Sequence, residues 1–171
     1  MNTGKEGVYY TDVNLELNKK ITKQWTLNAM LMYQTYNRSV VELHEGLLRN
    51  GIGVVDVKYA VNSDVQMRAE LQYLYSKTGE GQWLFGLYEL SLFKQLSIYG
   101  QYMYNIGGTE EAAAKEKRDR HFYTVGATYS RNAHRLMLAY TKTREGYNCS
   151  GGVCRLVPAQ EGVNLTYNFT W

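Results

Sequence analysis

Cys149 and Cys154 stand five residues apart in Gly-Tyr-Asn-Cys-Ser-Gly-Gly-Val-Cys-Arg, residues 146–155. Two thiols at this spacing, with two glycines between them to permit a tight chain path, can close a disulfide. The loop so closed is short, so its stabilisation belongs at the modest end of roughly 2–4 kcal/mol. A redox Cys-x-x-Cys pair needs a shorter gap. A tetrahedral metal centre needs companions, and His44, His121 and His134 are scattered along the chain. Ser150 is not in a Gly-x-Ser-x-Gly setting, so no hydrolase elbow is present. No glycine-rich phosphate loop occurs either. The expectation is a protein that is not an enzyme and carries no cofactor.

The second set with chemical potential is ionic. Asp56, Lys58, Arg68, Glu70 and Glu89 fall at alternate positions of strand-like runs, opposite apolar neighbours. Charges of mixed sign on one face would line or fill an interior through salt bridges. No two carboxylates can be nominated as an acid–base dyad while the strand register is unknown.

These residues sit in nine segments of alternating character. They are Gly7–Leu17, Trp25–Tyr36, Gly53–Val61, Val65–Tyr75, Trp83–Phe93, Leu96–Asn105, His121–Ser130, His134–Lys142 and Val163–Trp171. Period-two alternation puts successive side chains on opposite faces of a strand. In Val65–Tyr75, Met67, Ala69, Leu71, Tyr73 and Tyr75 oppose Arg68, Glu70 and Gln72. In the final run, Val163, Leu165, Tyr167, Phe169 and Trp171 oppose Asn164, Thr166, Asn168 and Thr170. The first segment alternates Val13, Leu15 and Leu17 against Asp12, Asn14 and Glu16, with a bulge expected near Tyr10. Short connections alternate with long ones, as in an up-and-down meander. Residues 108–120, Gly-Thr-Glu-Glu-Ala-Ala-Ala-Lys-Glu-Lys-Arg-Asp-Arg, carry the only helix-like spacing, with Glu111, Lys115 and Asp119 at i,i+4.

The 171 residues suit one domain. The chain holds one proline, sixteen tyrosines and a net charge of +3. The small basic excess is spread over turns and argues against nucleic-acid binding. No stretch approaches the ~20 apolar residues of a membrane helix, but a membrane strand needs only about 9–11. Aromatics near strand ends, long strands and a polar opposite face with few lysines and many Asn, Gln, Thr, Ser and Glu favour a transmembrane barrel. The alternatives are a soluble sandwich or a ligand-binding barrel with its apolar face inward.

The run from Arg144 to Ala159, with Leu17-Asn18-Lys19-Lys20 and Arg68-Ala-Glu-Leu-Gln-Tyr-Leu-Tyr, resembles the C-terminal half of a Bacteroidota outer-membrane β-barrel family, a domain of unknown function. The resemblance implies an all-β, antiparallel up-and-down transmembrane barrel in the bacterial outer membrane. It implies outer-membrane lipid, the barrel-assembly machinery and other envelope proteins as partners, and Tyr167, Phe169 and Trp171 as a terminal barrel signal. An odd strand count leaves the first and last strands running in the same direction, so this chain is expected to form the C-terminal strands of a larger barrel rather than to close alone. The functional expectations are a structural or accessory role in an envelope complex, or passive passage of small solutes. A charge at Phe169 is expected to impair insertion more than one at Asn168.

Overall fold

In the computed structural model, the described backbone comprises residues 10–37, 47–77, 81–109, 120–144, 146–150 and 153–170. The side chains of residues 36–37 and 146–157 lie outside the description. Eleven strands form among these residues and no helix does. They are β1 (Tyr10–Lys20), β2 (Trp25–Asn37), β3 (Leu47–Ala60), β4 (Val65–Ser76), β5 (Gln82–Leu92), β6 (Leu96–Gly107), β7 (His121–Arg131), β8 (His134–Thr143), β9 (Gly146–Ser150), β10 (Val153–Val157) and β11 (Gln160–Phe169).

Nine strands make one up-and-down antiparallel sheet in the order β1-β2-β3-β4-β5-β6-β7-β8-β11. All nine expected segments are in it. Strands β9 and β10 form a separate hairpin within what the sequence presents as the long Arg144–Glu161 loop. Strand β3 begins at Leu47, six residues before the expected Gly53. The glycines at 51 and 53 mask the alternation there, but the ladder to β2 runs through both. The expected bulge near Tyr10 is absent from the described pairing, since Tyr10–Lys20 opposes Thr26–Tyr36 without a shift. A register shift does occur at Gln82/Trp83, between β5 and β6. Of the helix-like run, residues 110–119 lie outside the described residues, as does Trp171.

Side-chain hydrogen bonds shape the short connections. Thr22 Oγ1 accepts from the backbone N–H groups of Gln24 (3.2 Å) and Trp25 (3.0 Å). Asn62 Oδ1 accepts likewise from Asp64 (2.9 Å) and Val65 (2.8 Å). Such local bonds are why Thr and Asn favour turns. Phe93 and Lys94 both have positive φ, 51° and 57°. With Gln95 N–H donating to Leu92 O at 3.1 Å, they form a tight turn of the kind that matches strand twist, within a three-residue connection between the paired Leu92 and Leu96.

The sheet is not closed into a barrel, and β1 and β11 are its two edges. Neighbours alternate in direction along nine strands, so the two edge strands run the same way. Direct pairing between them would be parallel, in a sheet otherwise wholly antiparallel. The expected failure of this chain to close on itself agrees with the structure.

Candidate functional site

Register decides which alternating residues meet. The ladders place Lys58 opposite Arg68 and Arg68 opposite Glu89, with Asp56 opposite Glu70 one step along the same face. The other four ionic residues singled out by the sequence are therefore neighbours of Arg68 in the ladders, and two of them, Asp56 and Glu70, bind it. Its Nε donates to Asp56 Oδ2 at 2.6 Å, and its Nη2 donates to Glu70 Oε2. Gln72 Nε2 donates to the other Glu70 oxygen. Asp56 is only 6% exposed, and its Oδ1 has no partner among the described residues. Lys58 shares the face but is exposed and makes no ion pair among the described residues. Glu89 belongs to the next cluster, accepting from Ser97 Oγ (2.6 Å) and Ser91 Oγ (3.4 Å).

The same polar face continues across β6, β7 and β8. Tyr99 lies opposite Gly126, which lies opposite Ala139. A Cβ on Gly126 would stand 2.8 Å from Tyr99 Cζ and Oη. Glycine thus lets the phenol reach across β7, where its Oη donates to Met137 Sδ at 3.8 Å. Thr124 and Thr141 are each 7% exposed and share a hydroxyl hydrogen bond of 2.6 Å. Thr124→Val should strand the Thr141 hydroxyl in a buried setting and cost about 1–2 kcal/mol. The double variant Thr124→Val/Thr141→Val should recover most of that loss. Urea unfolding midpoints of the parent and the two variants in detergent micelles check this.

Towards the long connections this face turns apolar. Trp83 lies near Phe122, ring centroids 6.1 Å apart, and the Arg144 guanidinium sits 4.7 Å from the Trp83 ring centroid. A cation over an indole face is attracted by the ring quadrupole. Sequence patterning did not single out Tyr99, Gly126, Thr124, Thr141 or the Trp83–Arg144 pair. The signal available for Tyr99, Thr124, Gly126 and Thr141 was that each alternates with the apolar run of its own strand.

The opposite face is apolar and exposed. Its middle carries Val13, Leu15, Val55, Leu71, Ile98, Val125, Leu138, Val163 and Leu165, all exposed. Aromatics gather at both strand ends. Tyr73 and Tyr75 mark the long-loop end, with Tyr33 and Tyr140 further in, opposite Val13, Val125 and Val163; Trp25, Phe93, Tyr129, Tyr167 and Phe169 mark the short-turn end. Trp25 stacks on Tyr59 at 4.4 Å between centroids. Tyr88 and Tyr102, both in mid-strand, depart from this sorting. From Trp25 to Tyr33 the strand advances roughly 26 Å, which at the usual barrel tilt is roughly 20 Å along a membrane normal. That approaches the ~25 Å apolar band of outer-membrane barrels.

Tyr167 and Phe169 of the expected terminal signal are on this face and exposed. His134 Nδ1 and Tyr167 Oη share a hydrogen bond of 2.7 Å. In the β9–β10 hairpin, Cys149 and Cys154 are directly opposed in register. Opposed strand residues have Cα atoms about 4.5–5.5 Å apart, inside the range a disulfide spans. Their side chains lie outside the description, so the bond remains a prediction. The native protein, alkylated without reductant, should give a mass with neither thiol labelled. Two labelled thiols would contradict it. Among the described residues no group of His, Cys, Asp and Glu could hold a metal ion.

A protein-family model described as a family of unknown function (DUF6029) matches residues 2–171. No curated protein and no solved structure matches the chain.

Proposed function

This chain belongs to that family of unknown function, and we propose that it forms part of the wall of an outer-membrane β-barrel with a structural or accessory role in the envelope. The carrying observation is the inverted distribution of polarity. The charged and hydroxyl-bearing face gathers the buried polar residues Asp56, Thr124 and Thr141, while the face of Val55, Leu71, Leu138 and Leu165 is exposed. A soluble barrel or sandwich would do the reverse. An exposed apolar surface this extensive, banded by aromatics at both strand ends, suits lipid.

A strand edge in lipid leaves backbone groups unpaired at several kcal/mol each, so a membrane wall must close. Closure in a wholly antiparallel wall requires an odd number of further strands between β1 and β11. The occupants complementing these edges are strands with an aliphatic outer and a polar inner face. Folding into lipid vesicles, read by heat-modifiable gel migration and by protease resistance, tests membrane insertion. A chain that stays monomeric and fully folded in buffer without lipid or detergent would overturn it.

A second reading, passive passage of small solutes, is supported by a cavity of about 530 Å³ on the polar face. Planar-bilayer recording separates the two. Stable conductance supports passage, and a silent but inserted barrel supports the structural role.

A further inference from the structure

The cavity lies at the short-turn end of the polar face, between β4 and β8. Its volume of about 530 Å³ falls within the usual size of small-molecule sites. Its lining is neither apolar nor of one charge. Ser91, Ser97, Thr128 and Ser130 contribute hydroxyls, beside the amides of Gln66 and Gln95. Asp64 and Glu89 balance Lys94 and Arg135. No ion pair joins these four among the described residues.

We propose that this cavity binds a small, uncharged polyhydroxylated solute, a saccharide of one or two rings. Hydroxyls and amides both donate and accept, as sugar hydroxyls do, so each can be satisfied without a charge being neutralised. The balanced charges give the cavity no net preference for an anion or a cation. Glu89 is held by Ser91 and Ser97, and both bonds fall on Oε1. A carboxylate accepts at two oxygens, so Oε2 can take a ligand hydroxyl. Tyr99 supplies the floor. Its phenol extends over Gly126 towards Met137, offering a flat apolar surface beside the hydroxyls. A sugar ring presents C–H groups on its face and hydroxyls on its rim, which matches that juxtaposition. A zwitterion would need its two charges met by one acid and one base at a fixed separation. Here Asp64, Lys94 and Arg135 are all exposed, while the neutral groups dominate the lining. The proposal rests on this face alone and holds whether or not the apolar face meets lipid.

The test is isothermal titration of the folded chain in a polyoxyethylene detergent, which lacks a sugar headgroup. Maltose, cellobiose, dialanine and inorganic phosphate are the probes. Saturable binding of at least one disaccharide, with none of dialanine or phosphate, is expected. Tyr99→Ala should weaken that binding at least tenfold. Tyr99→Trp should retain it within threefold, which separates the lost platform from a misfolded chain. No saturable disaccharide binding by the parent protein overturns the proposal. Preferential binding of dialanine or phosphate overturns it as well, as does unchanged affinity in a folded Tyr99→Ala. Vesicle insertion is measured separately, so failure here leaves the membrane reading standing.

Discussion

Leu165→Arg should cost about 2–4 kcal/mol of folding into lipid vesicles, and Asn164→Arg should cost well under half of that. Leu165 lies midway along β11, opposite Leu138, and is 68% exposed on the apolar face. If that face meets acyl chains, the guanidinium must leave water or drag water in with it. Asn164 lies opposite Ala139 on the polar face, where a new charge stays hydrated. The register also refines the comparison expected at the last strand. Phe169 is opposite His134 at the short-turn end, so an arginine there belongs near the interface and should cost only about 0–1 kcal/mol. Heat-modifiable migration of the three variants, titrated against urea in vesicles, gives the order Leu165→Arg, Phe169→Arg, Asn164→Arg from worst to mildest or near-equal for the last two. Equal folding of Leu165→Arg and Asn164→Arg would remove the lipid assignment of the face.

Arg68→Met should destabilise the folded chain by about 2–3 kcal/mol, below the 3–5 kcal/mol of a fully buried pair because the Arg68 side chain is 37% exposed. The loss comes from what remains behind rather than from the missing bonds alone. Asp56 is nearly buried, and Oδ2 would lose its donor while Oδ1 already lacks one among the described residues. Glu70 would keep Gln72 as its donor on one oxygen. Replacing the stranded acid as well, in Arg68→Met/Asp56→Asn, should recover at least half the loss, because a neutral amide is far cheaper to leave in place than a charge. Unfolding midpoints in micelles measure both. A double variant no more stable than Arg68→Met would show that Asp56 does not depend on this arginine.

Much of the fold was legible because side-chain direction in a strand is local. Backbone geometry alone sends residues i and i+1 to opposite faces. Met67, Leu71 and Tyr73 against Arg68, Glu70 and Gln72 could therefore be sorted without knowing any neighbour. The same holds for the nine strands of the main sheet and for the odd count that leaves its edges running the same way. Glycine weakened the signal at β3, where Gly51 and Gly53 lack side chains to alternate. The β9–β10 hairpin was missed because Gly146–Ser150 and Val153–Val157 are too short to show a period.

Register was beyond the sequence, since it depends on the sum of contacts with both neighbouring strands and on the turns that join them. Nothing in the run Val65–Tyr75 says that Arg68 faces Glu89 across one ladder and Lys58 across the other, or that it reaches Asp56 diagonally. Nor does the run around Tyr99 announce that a glycine from β7 will stand opposite and admit its ring. The amino-acid sequence determined which residues share a face. The tertiary structure alone decided which of them touch, because contact across a sheet joins residues far apart in the chain and a slip of one position would send every side chain of a strand to the other face.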